Sequence, residues 1–320
     1  MIRAPLAGCA LAAAAVTAAA PAAAGGGEVV QRDVIDVASP EGVELRTIDV
    51  DNRLGDVRVE GGDRDSVSLV AVKRASDEET VERLKVTLVP DPSGVLRVAT
   101  SLLMGEEARP IAAGSVRVDL VLRVPRSVRP RARVWNGRVS VRDLDRGAEL
   151  SANEGRIEVD NVAGAIAAHV AQGDHDYRSV FGALRAQGLR GDMVLRSVRG
   201  DRVDISLHEG SVRGRDVEVR SLSIVTTDAD VVLRGRATRG GAMHIASYRG
   251  HIDVRLEADV ALAVQAISRS GTVDVAGAAL RGLRAGPGRF AGFAHQRGGD
   301  PAAVELSSRV GTIRLAVVNP

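Results

Sequence analysis

The chain has 320 residues, 43 basic and 41 acidic, for a formal net charge of +2; hydrophobic residues make up 45% and aromatics only 2%. Basic and acidic side chains alternate without long like-charged runs, which argues against nucleic acid or an anionic membrane as partner. So few rings argue against a single aromatic-centred core and favour Val, Leu, Ile and Ala stacked in uniform layers.

At the N-terminus, Arg3, an apolar stretch from Leu6 to Ala20 and an Ala22-Ala23-Ala24 cleavage site followed by Gly25-Gly26-Gly27 predict a signal peptide over residues 1–24. Leu6-Ala7-Gly8-Cys9 spells a lipobox, but the apolar region of a lipoprotein signal precedes its cysteine, and only eight residues precede Cys9. A lipid anchor at Cys9 is therefore not expected. Cleavage after Ala24 leaves a mature chain without cysteine. No later apolar run approaches the ~18 residues that cross a bilayer. The expected destination is the periplasm, the cell surface or the medium.

Residues 28–133 read as an N-terminal β region that caps a repetitive region over 134–320. Alternating strands are predicted at 43–50, 56–59, 67–72, 86–89, 95–98 and 116–124, with one short helix near 77–85 opened by Ser76-Asp77-Glu78-Glu79. Pro125 and Pro130 punctuate its end.

From 134 to 320 the chain is periodic. Gly137-Arg-Val139-Ser-Val141 is answered by Gly155-Arg-Ile157-Glu-Val159, and glycines recur at 164, 173, 182, 191 and 200. Gly210-Ser-Val212, Gly250-His-Ile252-Asp-Val254, Gly271-Thr-Val273-Asp-Val275 and Gly311-Thr-Ile313-Arg-Leu315 extend the series in longer steps. Glycine at a corner followed by inward β-branched residues is a unit that buries its apolar face only by stacking on copies of itself. The predicted fold is all-β, a parallel β-solenoid of Gly-x-Val/Ile-x-Val/Leu repeats. A β-sandwich would show irregular spacing and several hairpin dipeptides, whereas Asn136-Gly137 stands alone. Ser151, Ser179, Ser247, Ser268 and Ser307 precede corners by three or four positions. The glycine-rich segment 281–300 breaks the period and is expected to be a mobile loop.

These features resemble the bacterial putative-adhesin family of domains of unknown function, related to the putative autotransporter-adhesin head domain. Asn52-Arg53-Leu54-Gly55-Asp56-Val57-Arg58-Val59, the strand and capped helix over 67–89, the Val118–Pro125 strand and the serial Gly-x-Val-x-Val units carry the resemblance over residues 34–318. It implies a β-solenoid in an exported or envelope-associated protein, with no established ligand and no functional residue to transfer.

Candidate chemistry is sparse. His169, His175, His208, His244, His251 and His295 show no recognised ligand spacing. Asp174-His175-Asp176 would hold a metal only if folded against His208, and His244 would meet His251 only across a turn. Asp160, Asp174, Asp176, Asp192 and Asp201 would form a catalytic row only at a specific separation. Arg190-Gly191-Asp192 and Arg199-Gly200-Asp201 spell a receptor-binding tripeptide twice, which an arginine-rich strand meeting a Gly-Asp turn also produces. The sequence predicts no catalytic, cofactor or metal residue. The function it supports is non-catalytic binding of, or scaffolding for, an envelope or surface protein or polysaccharide. The alternative is a β-helix enzyme acting on a polysaccharide, which a groove of clustered carboxylates would reveal.

Overall fold

The computed structural model describes residues 15–18, 22–24, 28–37, 44–103, 115–277, 280–286, 288–294 and 300–318. Strands stack in parallel, and the repeat is eighteen residues long, twice the glycine spacing. Arg131 lies beside Glu149, Ala148 beside Ile166, and Ile166 beside Leu184. Each rung folds two strand segments onto a shared interior. In the rung 129–144, Ala132, Val134, Val139, Val141 and Leu144 are buried while Arg131, Arg133 and Arg142 face out. This is the period-two alternation of a strand with one apolar face.

The nine-residue period is two interleaved columns of corners. One runs through Gly137, Gly155, Gly173, Gly191 and Gly210, and the other through Gly147, Gly164, Gly182 and Gly200. Gly173 shows why the residue is obligatory. Its φ is +136°, and a Cβ there would lie 1.6 Å from the carbonyl oxygen of Gly155 in the rung below. A third bend per rung uses no glycine. Asp143, Asn161, Ser179, Ser197 and Asp216 all have φ between +49° and +57°, each followed by a buried aliphatic. Short polar side chains tolerate this left-handed conformation because they hydrogen-bond locally. The Asn161 amide donates to Asp143 Oδ1 at 2.6 Å, tying neighbouring bends together.

The stack begins earlier than expected. Thr47–Asn52 and Val57–Gly62, placed by sequence in the capping region, form the first rung against 129–142. Beyond this rung the two faces part into antiparallel sheets. Val95–Leu102 pairs with 47–51 and with Leu84–Asp91. Arg117–Pro125 pairs with 57–62, then with Val67–Ala75, which pairs with Glu28–Val37. Ala15–Ala18 and Ala22–Ala24 lie antiparallel on the far edge of Glu28–Val37. The edge of the first rung is thus covered by two parallel pairings, to 95–99 and 120–125, and the pairing turns antiparallel only in the strands beyond.

Asn52 joins the first rung to both capping sheets. Its Nδ2 donates to the carbonyls of Val118 at 2.8 Å and Asp56 at 3.1 Å, and its Oδ1 accepts from Leu54 N and Thr100 Oγ1. Every polar atom of this fully buried side chain is thereby paired. The helix spans Glu78–Arg83 and is capped by Asp77, one residue past the serine; Asp77 Oδ1 accepts from Thr80 N at 2.7 Å. Leu84 opens the following strand. The helix packs beside Val67–Ala75 and Glu28–Val37, whose core-facing sides hold a buried ion pair, Lys73 Nζ to Asp33 Oδ2 at 2.5 Å.

At the other end the chain leaves sequence order. Ala302–Val310 and Ile313–Val318 insert between the rung 242–257 and the rung 262–276. The segment expected to be a loop at 281–300 instead carries two strands, Leu280–Gly286 and Arg289–Ala294, which form an antiparallel hairpin covering Leu262–Ile267. Alternation in Arg289–Ala294 supplies the reason, since Phe290 packs against the core and Ala294 is buried. Residues 295–299 of that segment lie outside the described residues.

Candidate binding surface

The predicted site residues do not converge. His175 points into the core between Ile157 and Met193, whereas Asp174 and Asp176 face outward. Asp174 accepts from Arg156 at 2.8 Å and from Asp192 N at 3.1 Å; partial burial opposes ionisation, but these donors hold its carboxyl below the usual range. Asp176 binds Arg178 and Arg196 at 2.9 and 2.7 Å. His208 is exposed. His244 pairs with Glu305 at 3.3 Å, while His251 Nδ1 accepts from Thr312 N at 3.1 Å, so the two rings serve different neighbours. Among the described residues no group of three or more ligating side chains gathers. Cys9 and His295 lie outside the described residues.

His175 is instead a core residue with a polar partner. Its Nδ1 lies 2.8 Å from the Tyr177 hydroxyl, and its Nε2 has no hydrogen-bond partner among the described residues. Burial first, and then the nearby His169, push its pKa down to about 4. The unfolded chain binds this proton near pH 6.5, so stability falls as pH drops from about 6.5 to about 4, by about 3 kcal/mol in all. Urea titrations across that window should show the slope. The double variant His175→Leu/Tyr177→Phe should flatten it; an unchanged slope would assign acid sensitivity elsewhere.

The two Arg-Gly-Asp triplets sit at opposite corners, Gly191 in one glycine column and Gly200 in the other. In the first, Arg190 binds Glu209 at 2.9 Å and Asp192 accepts from Ser211 and Arg213 at 2.7 and 3.2 Å. The residue after a corner glycine has a structural task. Where it is an aspartate, its side chain can accept the backbone N–H of the next corner, as in Arg138 N to Asp56 Oδ1 and Asp192 N to Asp174 Oδ1. Asp230, which follows the corner residue Ala229, accepts from His251 N in the same way. The serines divide by role. Ser247 and Ser268 are buried and donate to corner carbonyls at 3.3 and 2.7 Å, as does Ser308 in place of Ser307. Ser179 is a left-handed bend, and Ser151 is half-buried.

The outer wall is a lattice of ion pairs between rungs. Arg131 meets Glu149, Arg156 meets Asp174, Arg196 meets Asp176, and Arg249 meets Asp228, at 2.7–3.4 Å. Exposed pairs like these contribute at most ~1 kcal/mol each. Their main effect is to keep the wall locally neutral. Asp160 belongs to this alternation, lying in register between Arg142 and Arg178.

Scattered arginines such as Arg185, Arg220 and Arg269 also lack a carboxylate partner among the described residues, and one place gathers three such arginines. A cleft of about 440 Å³ crosses residues 199–257, lined by Arg199, Arg215, Arg234, Arg236 and Arg255 with Asp216, Glu218 and Glu257. Arg199 reaches Asp216 and Glu218, and Arg236 reaches Glu257. Arg215, Arg234 and Arg255 have no carboxylate partner among the described residues. Spacing alone does not reveal this cleft, because arginine is common at outward positions throughout. The available signal was the twenty-one-residue step that places Arg234 beside Arg255.

Parallel rungs, two glycine columns and an ion-paired wall define a β-solenoid closed at one end by antiparallel sheets. The family model Toastrack DUF4097 matches residues 45–280, and the chain belongs to that family. Solved structures to which the chain is similar include a "putative adhesin" from Parabacteroides merdae (10% identity, 90% of this chain and 96% of that one, TM-score 0.42). Another "putative adhesin", from Bacteroides fragilis, has 11% identity over 89% and 96% of the chains, with TM-score 0.35. A "putative lipid binding protein" from Parabacteroides distasonis has 11% identity over 90% and 96%, with TM-score 0.35. No curated protein matches the chain.

Proposed function

We propose that this protein is exported and works without catalysis, its solenoid wall binding a macromolecule of the envelope or surface in an adhesin-like or scaffolding role. The observation that carries this reading is the wall itself, a continuous parallel surface many of whose carboxylates are engaged by arginines of the same or adjacent rungs. Carboxylates held this way lack the isolated pair and water site that glycoside hydrolysis requires. Extended repeat surfaces suit large or repetitive ligands. Among the described residues no helix is long and apolar enough to cross a membrane. Removal of residues 1–24 would free the edge of Glu28–Val37 that now carries Ala15–Ala18 and Ala22–Ala24, while its pairing with Val67–Ala75 remains.

Cell fractionation with protease shaving, followed by intact-mass measurement, tests the reading. The expected product lies outside the cytoplasm and begins at Gly25, and Cys9→Ala leaves its processing unchanged. A cytoplasmic product retaining Met1 would refute export.

A further inference from the structure

We propose that the arginine cleft across residues 199–257 binds an acidic polysaccharide, its carboxylates or sulfates held by Arg215, Arg234 and Arg255. The proposal rests on the reading of the protein as an exported binding solenoid and names the chemistry of its ligand.

The first support is electrostatic. Elsewhere on the wall an outward arginine commonly meets a carboxylate one rung away. Arg138 beside Arg156 and Arg178 beside Arg196 are like-charged neighbours, but each of these arginines also reaches a carboxylate. Arg234 and Arg255 lie beside each other and neither has one among the described residues, so their repulsion opposes the ladder joining them. The next two positions in that column are Ala316 and Ala276, so no carboxylate arrives from the following rungs. The five arginines of the lining therefore face three carboxylates, a net positive charge, and the short alanine side chains leave that end of the column open.

The second support is shape. The lining comes from four successive passes of the chain, represented by Arg199, Arg215, Arg234 and Arg255. At the spacing of neighbouring strands these passes cover about 14 Å along the stack. A single small anion would engage one or two of these arginines, whereas a linear polymer with repeated charge can engage them in series. Each contact at an exposed site is weak, and linkage of several on one chain supplies the affinity.

The third support is lining chemistry. Planar guanidinium groups match carboxylate and sulfate oxygens in paired hydrogen bonds. Asp216, Glu218 and Glu257 stand among them as acceptors for hydroxyl groups, which a sugar chain carries and a bare polyphosphate does not. No aromatic residue lines the cleft to stack a nucleobase, and no large apolar side chain lines it to receive an acyl chain.

Binding of the secreted full chain to polygalacturonate and to dextran sulfate tests the proposal, with neutral dextran and single-stranded DNA as comparisons. At least one acidic polysaccharide should bind, weaken with added salt and raise the melting temperature, because the anion relieves the Arg234–Arg255 repulsion. Arg234→Gln/Arg255→Gln should weaken binding by about tenfold or more while melting no lower than wild type. Arg131→Gln, in a paired part of the wall, should bind as wild type does. The proposal fails if neither acidic polysaccharide binds, if neutral dextran binds equally, if DNA binds more tightly, or if the double variant binds unchanged. A protein that is exported yet fails these tests would overturn the cleft alone; retention in the cytoplasm would overturn the reading beneath it.

Discussion

Alanine at Gly173 is expected to destabilise the protein by about 4 kcal/mol, through strain and a backbone collision acting together. The added Cβ would fall 1.6 Å from the Gly155 carbonyl oxygen, and the atom it meets is backbone, so no side chain can swing aside. Relief requires the two rungs to separate, which breaks ladder hydrogen bonds on both sides of the corner. Gly62→Ala is the control, because nothing lies within 4 Å of a Cβ built there, and its effect should stay within about 0.5 kcal/mol. Stacked repeats can lose cooperativity, so amide hydrogen exchange is the suitable measurement. Loss of protection should centre on residues 148–199. Wild-type protection there would show that the corner yields without separating the rungs.

Lys73→Met should cost about 3–5 kcal/mol by leaving the buried Asp33 without its cationic partner. Both side chains of this ion pair are over nine-tenths buried, and Gln31 Nε2 supplies the remaining contact to the carboxylate at 2.8 Å. Replacing both partners, Asp33→Leu with Lys73→Met, removes the stranded charge and should recover most of the loss, because desolvation of the original pair offsets much of its attraction. Urea denaturation of the two single variants and the double variant gives the coupling. Additive losses would show that each residue acts separately and that the pair is not the unit of stability.

The fold was legible to the extent that one residue type had one task. Corner glycines have no substitute at the positive φ and close approach seen at Gly173, so they repeat visibly and announce the stack. The third bend is silent in the sequence because Asp, Asn and Ser all satisfy it; positions 143, 161, 179, 197 and 216 share a conformation and no single identity. Glycine spacing gives half the true rung length, since two corners per rung use the same residue. Asn52 has no evident reason in the sequence, and its four hydrogen bonds reach Val118 and Thr100, partners too distant along the chain for spacing to connect. The hairpin within 281–300 was hidden by its glycines, which mark turns more readily than strands. The candidate surface was least legible. Its arginines have the same identities as those of the neutral wall, and even the register is shared. Arg156 lies beside Arg138 as Arg234 lies beside Arg255, but Arg156 also reaches Asp174 whereas Arg234 reaches no carboxylate among the described residues.

The late insertion of residues 302–318 gives this solenoid a direction in time. A chain emerging N-terminus first can add its rungs one upon another as far as 242–257, and there it must wait. The strand that belongs next has not yet been made, and residues 262–276 present a similar alternating face ahead of it. If that earlier segment docks prematurely, it must be displaced before the stack can close. Completion of the far end thus depends on contacts spanning some sixty residues, such as Ala242 beside Ala303, whereas the rungs from 129 to 257 join neighbours about twenty residues away. The final strands act as a wedge driven between two courses already laid, and this end of the molecule should mature after the rungs between 129 and 257.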